Sequence, residues 1–149
     1  MGKIDTKNIT KLLKIDAKAV GIPIGAAEIF IEKPYIFPVC QGLHTRPVVV
    51  GFGPAGMFAA LSLSKAGLCP IVLERGRDVD RRIKDVETFF KTNQLDETSN
   101  IQFGEGGAGT FSDGKLNTGI KDPRIRRVLE TFAQAGAPAE ILWQAKPHI

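Results

Sequence analysis

An α/β fold built on one strand–helix–strand unit is what this sequence predicts, on three observations. A β-branched run, Val48-Val49-Val50, leads straight into the glycine-rich turn Gly51-Phe52-Gly53-Pro54-Ala55-Gly56. A helical pattern continues from there to about Ala66. A second strand-like run, Cys69-Pro70-Ile71-Val72-Leu73-Glu74, follows Gly67. The spacing leaves little slack and fits a right-handed crossover between parallel strands.

Each element has its own local reasons. The first strand is of the β-branched kind buried in parallel sheets. Along the first helix Met57, Ala60, Leu61 and Ser64 share a face, and Gly67 is placed to end it in a left-handed cap. Pro70 is tolerable at the start of the second strand. A second helix is expected from about Asp78 to Thr92, where Val79, Ile83, Val86 and Phe90 recur at helical spacing beside Phe89. A third opens with Asp122 as N-cap and Pro123 at the first helical position. Its buried stripe is Ile125, Val128, Leu129 and Phe132, and Gly136 ends it. Ahead of the unit, residues 1 to about 20 suggest a short helix carrying Ile9, Leu12, Leu13 and Ile15. Glu28–Ile31 and Tyr35–Val39 read as strand-like.

Residues 1–45 therefore form an N-terminal extension without a declared fold, and residues 46–149 the first part of a nucleotide-binding domain. Two firm strands are too few for a doubly wound sheet, so the domain is expected to be incomplete within these 149 residues. Helices that should cover a larger sheet would leave apolar surface bare, so self-association, a pocket completed by a partner chain or marginal stability is expected.

Composition narrows the function classes. An apolar fraction of 43% with 24% charged residues is ordinary for a globular protein. The net charge of +4 is partly local, with Lys3, Lys7, Lys11, Lys14 and Lys18 near the N-terminus. No zinc-finger, RNP-type or recognition-helix pattern accompanies them, so a solvated helix face is preferred to a nucleic-acid surface. Cys40 and Cys69 are far apart and read as reduced thiols. No run reaches membrane-spanning length, and charges stand where a signal peptide needs apolar residues. A cytoplasmic location without membrane contact is the expectation. His44 and His148 lack the neighbours of a metal site.

The glycine turn carries the chemistry. Gly51 permits the tight strand-to-helix turn, Gly53 lets the backbone approach a diphosphate, and Gly56 lets the helix pack close to the sheet, with Ala60 extending that contact. The diphosphate would lie over the free N–H groups of the helix start. Pro54 removes one donor at little cost there, and Phe52 and Ala55 complete the turn. Glu74, 18 residues past Gly56, is placed to accept hydrogen bonds from ribose hydroxyls, which argues against a 2′-phosphate. Arg75 softens that exclusion, because an arginine pairs with phosphate. FAD and NAD share this fingerprint, and a merely structural glycine turn is the plain alternative.

Gly104, Gly106, Gly107 and Gly109 supply a second glycine cluster, able to bring backbone N–H groups against a phosphate, a ribitol or a flavin edge. Phe103, Phe111 and Leu116 would anchor it. Lys115 could oppose flavin or phosphate charge. Arg81 and Arg82 either reach a cofactor phosphate or belong to a solvated helix face. Glu105 is the one carboxylate inside the cluster.

The blocks RPVVVGFGPAGMFAALSLSKAGLCPIVLERG and SNIQFGEGGAGTFSDGKLNTGIKDPR closely resemble, in order and spacing, a family of predicted FAD-dependent oxidoreductases, also called FAD-dependent dehydrogenases. The resemblance runs from about residue 46 to residue 149. It implies a Rossmann-type FAD domain at the front of a much longer flavoprotein, with a separate domain for an unidentified small-molecule substrate. Gly51, Gly53 and Gly56 would hold the FAD pyrophosphate and Glu74 the adenosine ribose. Gly106, Gly107, Thr110 and Lys115 would approach the middle or flavin end. The competing expectations are a nicotinamide-dependent dehydrogenase segment and a non-catalytic nucleotide-binding module.

Overall fold

The computed structural model describes residues 35–149. The expected helix within residues 1–20 and the strand-like Glu28–Ile31 lie outside the described residues. The described chain is mixed α/β, with three α-helices and a small parallel sheet. Strand β1 (Val48–Val50), helix α1 (Pro54–Lys65) and strand β2 (Ile71–Leu73) come first. Helices α2 (Val79–Thr92) and α3 (Arg124–Gln134) follow, with short 3-10 turns at Gly107–Phe111 and Ala139–Leu142.

The two strands pair in parallel, Val48 with Ile71, Val49 with Val72 and Val50 with Leu73. Backbone bonds extend the ladder past both ends, from Ile71 N to Pro47 O at 2.8 Å and from Gly51 N to Leu73 O at 2.7 Å. The expected strand from Cys69 begins two residues later, because Pro70 has no N–H to donate. Arg46 ties that approach down instead, its Nε donating to Cys69 O at 2.7 Å. Val49 and Val72 alternate inward toward α1, while Val48, Val50, Ile71 and Leu73 form an apolar face exposed on the other side. Val50 is 82% exposed.

Helix α1 ends as its sequence requires, with Gly67 left-handed at φ +87°. Its inner face differs from the expected one. Ala60 is buried and Gly56, Phe58, Leu61 and Leu63 are half-buried, whereas Met57 and Ser64 are exposed. The helix is apolar nearly all round, so its pattern leaves the rotation open. The close approach of Gly56 to Gly51 decides it.

Tyr35–Val39 is not a strand. Pro38 cannot donate within a ladder, and the segment is held by side chains instead. Tyr35 and Phe37 meet edge to face at 5.1 Å, and Arg127 of α3 lies over the Phe37 ring at 5.2 Å. Phe58 and Phe132 join α1 to α3 in a second edge-to-face pair, 5.9 Å between centroids. The expected stripe of α3 is half-buried throughout. Pro123 already has helical angles, and Asp122 Oδ1 accepts Arg124 N at 2.8 Å, the capping role expected of it. Gly136 follows the helix end at φ +107°. The apolar core among the described residues is small, made of Ala60, Ala66, Val86 and Ile141.

Helix α2 starts where expected, and Asp78 caps it, its carboxylate accepting Arg81 N at 3.0 Å. Asn93 ends it in the left-handed conformation at φ +58°. Replacing Asp78 with alanine is expected to destabilise the protein by about 1 kcal/mol, the usual worth of such a cap. Urea unfolding would measure it, and an unchanged midpoint would show that Glu105, which bonds Val79 N from outside the helix, suffices alone.

The buried stripe of α2 is turned by one position from the expected one. Ile83 and Phe90 are exposed, and the inward residues are Arg82, Val86 and half-buried Phe89. Arg82 is fully buried, so neither a solvated face nor direct reach to a ligand describes it. Arg81 is exposed and faces Asp78 at 3.5 Å.

Candidate functional site

The β1–α1 turn is built around glycine. Gly51 sits at φ +91°, a conformation side chains other than glycine rarely take. A Cβ on Gly56 would run into the carbonyl oxygen of Gly51 and lie 3.7 Å from Val49 Cγ1, so the third glycine sets how closely α1 lies on β1. Gly53 occupies the N-cap position in extended conformation with Pro54 next. The first N–H groups of α1 have no carbonyl within the helix to accept them.

Glu74 fastens this turn from the end of β2. Its Oε2 accepts Phe52 N at 2.6 Å and its Oε1 accepts Gly76 N at 2.8 Å. Those two N–H groups, Gly76 first, hold its carboxyl below the ordinary 4.5, while partial burial opposes them. The carboxylate is thus ionised and shared between two backbone turns, with each oxygen retaining a second lone pair for another donor.

The second glycine cluster lies against both turns. Gly106 N donates to Phe52 O at 2.9 Å, and Glu105 N to Arg77 O at 3.0 Å. A Cβ on Gly107 would approach Gly53 Cα at 3.1 Å and Pro54 Cδ at 3.0 Å. Gly76 meets Gly104 so closely that a Cβ on it would collide with the Gly104 backbone. Two stretches some fifty residues apart in sequence are therefore in main-chain contact.

Between them opens a cleft of about 590 Å³. Val50, Gly51 and Gly53 line it from the first motif, Leu73, Glu74 and Arg75 from the end of β2. Gln102, Phe103, Gly104 and Gly107 form the remaining wall. The volume lies within the ~300–1,000 Å³ typical of small-molecule sites. The Arg75 guanidinium covers the Phe103 ring at 4.9 Å, so a planar cation–aromatic pair borders the cleft beside Glu74.

The predicted residues divide accordingly. Gly51, Gly53, Glu74, Arg75 and Gly107 line the cleft. Phe52, Pro54, Ala55, Gly56 and Gly106 shape its frame without lining it. Thr110 turns its hydroxyl to Arg82 and Glu105 O, both at 3.2 Å. Lys115 is exposed and paired with Asp113 at 2.6 Å, and its backbone bridges to His148. Phe103 is no buried anchor; it lies open at the cleft wall, whereas Phe111 and Leu116 are half-buried.

Two contributors were not singled out. Gly76 and Gln102 carry no pattern of their own, since their roles come from chain far away in sequence. Arg82 was singled out, but for a phosphate or a solvated face; the signal for its burial is its three- and four-residue spacing between Val79 and Val86, on the stripe that turned inward. Among the described residues no cluster of three or more histidine, cysteine, aspartate or glutamate side chains is placed to hold a metal ion. None of the described helices is long and apolar enough to cross a membrane.

No family model matches the chain. Over 109 residues it is 60% identical to an uncharacterized protein of Clostridium beijerinckii, a match that takes in 73% of this chain. The chain spans 20% of the length of that relative.

Proposed function

We propose that the cleft binds the ADP half of FAD, and that this chain is the FAD-binding segment of a flavin-dependent oxidoreductase like those its sequence resembles. One observation carries the reading: the Gly51–Gly53 turn, the Glu74 carboxylate and the Gly104–Gly107 wall border a single cleft. A Cβ on Gly51 would meet nothing within 4 Å, so the backbone there is open to a ligand. The donor set suits a nucleoside diphosphate. Helix N–H groups serve the phosphates, the free lone pairs of Glu74 accept ribose hydroxyls, and the Arg75–Phe103 pair offers a flat border for the base. FAD, when bound, supplies the hydride or electron transfer. The chain's own residues bind and orient its adenosine end. The substrate belongs to the longer protein.

Titration of the purified chain with ADP, FAD, NAD and NADP, followed by calorimetry and by flavin fluorescence, tests this. Saturable binding of ADP and FAD is expected, with Glu74→Ala weakening ADP by about tenfold or more, the effect of losing one charge-assisted hydrogen bond. Binding of NAD without FAD would favour the nicotinamide reading. Binding of none of the four would leave the glycine turns a structural role.

A further inference from the structure

The segment from Asn100 to Phe111 forms one wall of the cleft with no strand and no α-helix, only the 3-10 turn at its end. Its carbonyls converge on one side chain from α2. Arg82 Nε donates to Asn100 O at 2.8 Å, Nη2 to Ile101 O at 2.8 Å and Nη1 to Glu105 O at 2.6 Å. Nη1 also reaches the Thr110 hydroxyl at 3.2 Å. The guanidinium lies over the Phe111 ring at 4.9 Å, and a Cβ on Gly104 would come 2.7 Å from Arg82 Cδ. A planar fork of five donors spreads these bonds over three nitrogens, a reach that the three donors of a single ammonium nitrogen do not reproduce.

The charge is as telling as the shape. Among the described residues no carboxylate forms a salt bridge with Arg82, although it is fully buried. Burial lowers its pKa and the more distant Glu74 charge raises it. A buried cation is costly unless its donors are satisfied, and here neutral oxygens satisfy them. They leave its positive charge largely uncancelled.

Resting on the dinucleotide reading above, the geometry points to Arg82 as the positioning residue of the cleft. It holds the Gly104–Gly107 wall against the start of α1 and places positive charge behind that wall to favour a diphosphate. It does not line the cleft, so both effects act through the wall.

Amide hydrogen exchange and ADP titration on wild type, Arg82→Lys, Arg82→Met and Thr110→Val test the proposal. Arg82→Met is expected to speed exchange across residues 100–111 by about tenfold or more while α1 and β2 stay as protected as before. ADP affinity should fall by about tenfold. Arg82→Lys should speed exchange nearly as much yet keep part of the affinity, because it retains charge without the fork. Thr110→Val, at an exposed site, should give a smaller change in the same segment and serves if Arg82→Met does not fold. Unchanged exchange over 100–111 in both Lys and Val variants would overturn the wall-holding role. Faster exchange with undiminished ADP affinity would overturn the link to the ligand. Wild type that binds neither ADP nor FAD would sink the dinucleotide reading instead, and exchange would still decide whether Arg82 holds the wall.

Discussion

Alanine at Gly76 is expected to destabilise the protein by about 3 kcal/mol, near the upper end for overpacking. The added Cβ would fall 2.6 Å from Gly104 N and 2.7 Å from Thr98 O. These are backbone atoms, and Arg82 fixes the chain around them through the carbonyls of Asn100, Ile101 and Glu105, so they cannot swing aside as a flexible side chain would. Gly109→Ala is the control. Nothing lies within 4 Å of its added Cβ, and its effect should stay within about 0.5 kcal/mol. Equilibrium urea unfolding of both variants provides the comparison, and equal midpoints would remove the argument from close packing. The Gly76 variant should also lose its cleft wall and with it any ADP binding.

Removal of the Glu74 carboxylate should cost on the order of 3 kcal/mol, because two backbone N–H groups lose a charged acceptor. Glu74→Gln keeps one acceptor oxygen but turns an NH₂ toward the second donor, so it should be only partly rescued. The pH dependence separates this from a packing defect. A carboxyl whose folded pKa lies below its ordinary 4.5 stabilises the fold fully above that value. The contribution is lost as pH falls through the folded pKa. Wild type should therefore lose more stability than Glu74→Gln between about pH 5 and the acid end of the titration. Asp122, held at about 2 by the Arg124 guanidinium and N–H, titrates in both proteins and cancels in the difference. Parallel curves for the two proteins would mean that Glu74 does not fasten the turn in solution.

Much of the local structure was legible because its causes are local. Val48–Val50, the glycine turn and the cap at Asp122 each depend on residues within one turn of themselves. The same holds for the left-handed stops at Gly67 and Gly136. Tyr35–Val39 misled because aromatic and β-branched residues suit a strand, while Pro38 and the lack of a neighbouring strand among the described residues prevent one. The rotations of α1 and α2 were illegible for a different reason. Apolar residues occur on more than one side of each helix, so the choice falls to partners distant in sequence: Gly51 for one, and the carbonyls of residues 100–105 for the other. Composition places an arginine outside, and only three convergent carbonyls explain one inside. For the candidate site, the sequence marked both glycine clusters and Glu74. Their convergence depends on Phe52 O meeting Gly106 N, a contact that no periodicity encodes.

The glycine contacts also bear on how such a sequence drifts under mutation. A Cβ on Gly76 would fall on the Gly104 backbone, and one on Gly107 would press on Gly53 Cα and Pro54 Cδ, so at both positions the room for a side chain is taken by chain distant in sequence. Neither gains freedom when its glycine partner changes, since glycine has nothing further to give up. Compensating substitutions, the usual escape for a packed core, are closed to Gly76 and Gly107. A saturation library selected for folding should return glycine at each of them, while Gly109 and Gly119, which meet nothing, accept alanine and serine freely.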